Sequence, residues 1–133
     1  MKLLNSTFLA HYTRGADVVF EYLSEHEDEQ FVTSTINVKE IAVGAHLVED
    51  PTYHEILTDF GWVDIRPFST EHAYFAGEIE AQLQDDPEIR QDRINSLMGD
   101  ILIAGVAVAL DAPIVTRNVD DFELFDGVSV ETY

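Results

Sequence analysis

Four places in the chain combine residue types that can do chemistry with surroundings that single them out. The sharpest is Asp100, the one ionisable side chain in LMGDILIAGVAVAL, Leu97 to Leu110. A helix that is apolar nearly all round is buried. A lone carboxylate in it needs a partner, or its pKa rises. An aspartate near a helix start is favoured by the helix dipole, but apolar flanks give little other reason for an acid, so a metal or catalytic role is expected. Glu40 lies in TSTINVKEIAVGA, after a strand and in the first turn of a helix. Asn37 to Glu40 has capping-box spacing, with Asn37 as N-cap and Glu40 at N3, so Glu40 gains functional meaning only in combination.

The third place is TRNVDDF, Thr116 to Phe122, directly after a strand. Asn118, Asp120 and Asp121 are good turn formers and caps, yet they sit just past a strand end, and Arg117 adds a rare positive charge. The fourth is Asn5 in MKLLNSTFLA, where a short apolar strand breaks into Asn5-Ser6-Thr7. An asparagine there can close a turn or cap the next helix. Asn5, Glu40, Asp100 and Asp121 (or Asp120) together make an oxygen-donor set with no His or Cys. That chemistry suits Mg²⁺ or Mn²⁺, and such an ion suits phosphodiester hydrolysis.

The elements that must position these residues follow from periodicity. Strands are expected at Lys2–Leu4, Phe31–Thr33, Trp62–Ile65, Pro113–Thr116 and Val128–Glu131. Helices are expected at Phe8–Thr13, Asp17–Glu27, Val38–Glu49, from Pro51 to Asp59, from Ser69 or Thr70 to Leu83, and as one long helix from Arg93 to Leu110, with a short turn at Asp120–Leu124. Strands alternating with helices predict an α/β fold with a parallel sheet covered on both faces. Function in such sheets gathers beyond the carboxyl ends of the strands.

With 133 residues and no linker or repeat, a single domain over 1–133 is expected, and without cysteine there is no disulfide framework. No apolar run approaches the ~18 residues of a membrane span, and the start does not read as a signal peptide. A soluble cytoplasmic protein with no membrane association is expected. The 26 acidic against 7 basic side chains give a formal charge of −19 on a chain of ordinary hydrophobic content. Only Lys2 and Lys39 are lysines. A halophilic, haloarchaeal-type protein is expected, whose self-repulsion is screened within ~3 Å at 1 M salt; the alternative is an acidic protein from an ordinary cell. It argues against diffuse nucleic-acid binding while leaving room for a local contact bridged by a metal.

In order, the segments MKLLNSTFL, TSTINVKEIAVGA, GDILIAGVA, TRNVDDF and GVSVETY resemble the PIN-domain family, specifically VapC-type toxin ribonucleases of toxin–antitoxin systems. The resemblance spans essentially the whole chain. It implies a PIN-like three-layer sandwich with a short, mainly parallel sheet flanked by helices. It implies a Mg²⁺- or Mn²⁺-dependent endoribonuclease, an RNA substrate, and a cognate antitoxin that covers the site and binds DNA. The assembly would be a homodimer or a toxin–antitoxin hetero-oligomer. By resemblance Glu40 matches the second acid, Asp100 the third and Asp121 the fourth, with Thr116 the accompanying hydroxyl and Asn118 where some members carry an acid. Ser6 and Thr7 would support the site. Arg117, Arg14, Arg93 and Arg90 are the cations that could meet RNA phosphates.

The chain departs from the family at the first acid, where Asn5 stands. An amide keeps the shape but loses the charge, so weak or absent activity is expected of the chain as written. Two readings follow. One is an acid-to-amide exchange that silences a toxin, favoured because the rest of the pattern is intact. The other is a natural, catalytically inactive PIN-fold interaction module. A receiver-like regulatory domain, which also gathers acids at strand ends, is disfavoured because no lysine follows Lys39. The apolar hairpin of Phe8, Leu9, Tyr12, Val18, Val19, Tyr22 and Leu23 is expected to be mostly core, with part of its surface an antitoxin groove. Tyr74 and Phe75 are candidate dimer contacts.

Overall fold

The computed structural model describes residues 1–133. Five short strands, β1 (Lys2–Leu4), β2 (Phe31–Ser34), β3 (Asp64–Arg66), β4 (Ile114–Val115) and β5 (Val130–Glu131), pair in the order β3-β2-β1-β4-β5. Every pairing is parallel. Parallel neighbours need crossovers, and each is helical. Helices α1 (Ser6–Thr13) and α2 (Asp17–Glu25) join β1 to β2, and α3 (Thr35–Val48) and α4 (Tyr53–Asp59) join β2 to β3. Helices α5 (Thr70–Gln84), α6 (Gln91–Ser96) and α7 (Met98–Leu110) lead to β4, and α8 (Val119–Phe122) precedes β5.

Successive strand residues point to opposite faces, and this divides the core in two. Leu3, Val32 and Ile114 face Ala76, Ile79 and Leu83 of α5 and Ile101 and Ala104 of α7. Leu4 and Val115 face Phe8 and Leu9 of α1, Val19 and Tyr22 of α2, and Phe60 and Val63. The result is the expected three-layer α/β sandwich. Helices α5 and α7 approach closely because Gly105 lacks a side chain: a Cβ there would lie 2.6 Å from the His72 carbonyl oxygen. No helix is long and apolar enough to cross a membrane.

Several boundaries differ from the periodicity, and three differences matter. Helix α3 begins at Thr35, not Val38. Ser34 is its N-cap: the Ser34 hydroxyl accepts from the Asn37 backbone N–H, and the Asn37 side chain accepts from the Ser34 backbone N–H. The capping box is therefore Ser34/Asn37, and Glu40 lies a turn beyond it with no cap to serve. The expected helix from Arg93 to Leu110 is two helices. The backbone leaves helical geometry at Leu97 (φ −95°, ψ 5°), a residue buried in the core. Asp100 thereby falls in the first turn of α7. Pro51 lies outside α4, because the Thr52 hydroxyl caps that helix at the Glu55 N–H.

Phe8, Leu9, Val19 and Tyr22 are buried and their hairpin partners Tyr12, Val18 and Leu23 are half-buried against them. Exposed apolar side chains include Phe20 of the same hairpin and Trp62, both packed beside Tyr12, with Val43, Leu47 and Val48 of α3, and Tyr53. Of the candidate dimer contacts, Tyr74 is exposed and Phe75 half-buried.

Candidate functional site

Strand β1 has β2 on one side and β4 on the other, so the winding of the chain reverses there. The crevice past the carboxyl ends of two such strands is where α/β sheets place their sites. Asn5 and Thr116 are the residues that follow β1 and β4.

Asn5 occupies the N-cap position of α1, yet its side chain makes no capping hydrogen bond. It is turned inward, 3% exposed. Its Nδ2 donates to Thr116 Oγ1 at 2.8 Å, and its Oδ1 accepts from Asn37 Nδ2 at 3.1 Å. Asn37 Nδ2 also donates to Ser6 Oγ at 3.0 Å, and Ser6 Oγ donates to Glu40 Oε1 at 2.6 Å. On the other side, Thr116 Oγ1 accepts from the Asn118 backbone N–H at 3.0 Å, and Asn118 Nδ2 donates to Asp100 Oδ2 at 3.2 Å. Thr7 Oγ1 lies 3.3 Å from Thr116 Oγ1 and accepts from the Arg117 N–H at 3.3 Å. A continuous line of hydrogen bonds thus runs from Glu40 through Asn5 to Asp100 across the ends of β1 and β4. No buried side-chain polar atom in the molecule is left without a partner.

Asp100 is pushed up to about 6, first by burial and then by the charges of Glu40 and Asp121, against the opposing pull of Arg93 and the Asn118 hydrogen bond. Asp100 therefore feels the charge of both other carboxylates. Asp121 is ion-paired with Arg93 and is half-buried, whereas Asp120 is exposed. Of the two acids, Asp121 is the one that bears on Asp100. No three acidic or histidine side chains converge closely enough to form a ready-made metal cage.

The sequence-predicted residues divide accordingly. Asn5, Ser6, Thr7, Glu40, Asp100, Thr116 and Asn118 share one hydrogen-bonded network, and Asp121 joins it electrostatically. Arg117 sits at its edge through its own backbone. Arg93 is engaged with Asp121, Arg90 pairs with Asp92 on the surface, and Arg14 is exposed beyond the end of α1. Two contributors are not evident from the sequence. Asn37 has the spacing of a helix cap, yet its amide joins Asn5 to Ser6. Gly99 makes room for the site: a Cβ on it would lie 2.8 Å from Glu40 Oε2. A small residue directly beside the one acid of an apolar helix was the available signal for Gly99. The larger surface cavities are lined by other residues; one of about 500 Å³ lies beside Lys2, Tyr22 and Glu131.

No protein-family model matches the chain, and no curated protein matches it. Solved structures do. The chain is similar to VapBC2 from Rickettsia felis, bound to a DNA fragment from its promoter, with TM-score 0.82, 20% identity, and coverage of 99% of this chain and 98% of that one. DNA-bound VapBC from Salmonella typhimurium gives TM-score 0.76 at 20% identity over 99% and 98% of the two chains. A toxin–antitoxin complex from Klebsiella pneumoniae gives 0.72 at 19% identity over 96% and 95%. At these identities the likeness is one of fold, and it extends over the whole length: this chain has the PIN-like α/β sandwich.

Proposed function

We propose that the crevice at the ends of β1 and β4 is the active site of a metal-dependent ribonuclease of the toxin class, with Asn5 in the place of one acid. The observation that carries this reading is the hydrogen-bonded line joining Asn5, Glu40 and Asp100. The resemblance of the motifs to VapC-type toxins supports it, as does the shared fold with chains of toxin–antitoxin complexes. On the same grounds the partner is a cognate antitoxin and the substrate is RNA.

The donor set fits Mg²⁺ or Mn²⁺. It is all oxygen, and Asp100 is raised first by burial and then by the charges of Glu40 and Asp121, which a cation would offset. Mg²⁺ takes one or two carboxylates and keeps water and substrate phosphate for the rest, so separated carboxylates suit it. Asp100 and Asp121 would hold the ion, with Asn5 Oδ1 and Glu40 contributing. When bound, such an ion polarises a phosphoryl oxygen and lowers the pKa of its water. Glu40, oriented by Ser6, orients or deprotonates the attacking water. Asn118 keeps Asp100 turned toward the crevice. The hydroxyls of Ser6, Thr7 and Thr116 stand at the strand ends as hydrogen-bond donors for carboxylate or phosphate. Hydrolysis in line leaves a 5′-phosphate and a 3′-hydroxyl.

Asn5→Asp tests this. The Thr116 hydroxyl can turn to donate to the new carboxylate, so the network survives the change. Cleavage of an RNA pool is expected to appear or rise sharply in Asn5→Asp, to require Mg²⁺ or Mn²⁺, and to stop on chelation. No gain in cleavage on any RNA pool overturns the nuclease reading.

One observation favours a second reading, a PIN-fold interaction module without catalysis. The Asn5 amide is hydrogen-bonded at both ends in a buried position, as a resident amide would be. In that case Asn5→Asp gains neither cleavage nor metal binding, while the partner is still bound.

A further inference from the structure

Seven side chains carry a fixed positive charge in a molecule of net −19. Lys2, Arg66, Arg90 and Arg93 are each committed to a carboxylate. Of the others, Arg117 is the one joined to the crevice, through its backbone N–H on Thr7 Oγ1. Its guanidinium has no acidic partner. It lies instead over the ring of Tyr133, 4.5 Å from the centroid.

That ring is itself fixed. Phe8 packs edge-on against it at 4.9 Å, and the Tyr133 hydroxyl is 2.6 Å from His11 Nδ1. A guanidinium on an aromatic face is held by its flat side, which leaves the in-plane N–H donors free to point outward. Those donors form the fork that matches a phosphate. Elsewhere the acidic surface repels a polyanion, so one unneutralised guanidinium beside the crevice governs where a strand can settle.

We propose that Arg117, laid on the ring of Tyr133, is the phosphate contact that seats a single RNA strand across the ends of β1 and β4, and that Tyr133 is the residue positioning it. The identity of the ligand rests on the nuclease reading. The guanidinium over the Tyr133 ring, with no acidic partner, does not. A lysine at position 117 would keep the charge but lose the flat face that Tyr133 holds.

The test is fluorescence anisotropy of a labelled single-stranded RNA oligonucleotide with the unmodified chain. It is run in chelator, over the salt range in which circular dichroism shows the chain folded. Arg117→Gln is expected to weaken binding about fivefold or more and to lower the log–log salt slope by about 0.7, the value for one lost phosphate contact on a single strand. Tyr133→Leu is expected to weaken binding to a similar degree. Tyr133→Phe, which keeps the ring, should bind within about twofold of the unmodified chain, and Arg117→Lys should recover only part of the loss. A purely structural role for Tyr133 would leave the salt slope unmoved. Equal binding by Arg117→Gln, or no RNA binding by the unmodified chain, overturns the proposal. If Tyr133→Leu does not fold, Arg117→Gln decides, since its exposed side chain leaves the core intact.

The two readings fail separately. Cleavage by Asn5→Asp whose KM is unchanged by Arg117→Gln overturns the phosphate contact and leaves the nuclease. An Asn5→Asp chain that cleaves nothing overturns the nuclease, and the anisotropy then decides the phosphate contact alone.

Discussion

The carboxylate of Glu40 lies where a side chain on Gly99 would be: a Cβ on that glycine would stand 2.8 Å from Glu40 Oε2. Helices α3 and α7 are thus fitted to each other at the site by a missing methyl group. Gly99→Ala separates stability from function, because the group in its way is the mobile end of a side chain and not backbone. Replacing a helical glycine by alanine gains about 0.5–1 kcal/mol, so the melting temperature should hold or rise. Cleavage in an Asn5→Asp background should fall about tenfold to a hundredfold as Glu40 is pushed from its place. Thermal melts and a cleavage assay on the same two chains check both halves.

The cap of α3 makes a contrasting pair. Ser34 is buried, and its hydroxyl accepts from the Asn37 N–H and donates to Asn37 Oδ1 at 2.6 Å. Ser34→Ala should cost about 1–2 kcal/mol in urea denaturation, the value of a lost cap. Glu40→Gln keeps an acceptor for Ser6 and serves no cap, so its cost should stay within about 0.5 kcal/mol. If Glu40→Gln is the costlier change, the assignment of the cap is wrong.

Asp100 sets a pH dependence with a definite sign. Burial, then Glu40 and Asp121, push its carboxyl up to about 6 in the folded chain, against an ordinary 3.8. Between these values the folded state binds more protons than the unfolded one, so stability falls as pH rises through that window. Above it the charged Asp100 is a liability of about 1 kcal/mol, discounted for its partial exposure. Asp100→Asn should therefore raise the melting temperature at pH 7 in metal-free buffer and flatten the profile between about pH 4 and 6. Its amide oxygen can still accept from Asn118. A variant less stable than the parent at pH 7 would contradict this.

The net charge of −19 predicts that salt stabilises the fold. Raising ionic strength from about 0.1 M to about 1 M shortens the screening length from about 10 Å to about 3 Å. Self-repulsion among exposed acids should fade, and the melting temperature should climb with KCl over that range. A flat or falling curve would remove the argument for a salt-adapted protein.

The alternation of strands and helices, the parallel sheet and the two-faced core were legible because they rest on local periodicity. Leu3 and Leu4 had to face opposite ways, and α7, apolar but for Asp100, had to be buried. The residue types at Asn5, Glu40, Asp100 and Asp121 likewise announced oxygen-donor chemistry at strand ends. Other features depended on contacts between residues distant in the chain, which no local pattern encodes. The helical pattern breaks at Leu97, and this puts Asp100 at a helix start. Ser34 takes the cap of α3 from Asn37, which frees the Asn37 amide to join Asn5 to Ser6. Gly99 and Glu40, far apart in sequence, meet only when α3 and α7 pack. The kinds of atom at the site were set by the sequence. Which of them meet was decided by tertiary packing, because hydrogen-bond partners and buried charge depend on how the helices close over the sheet.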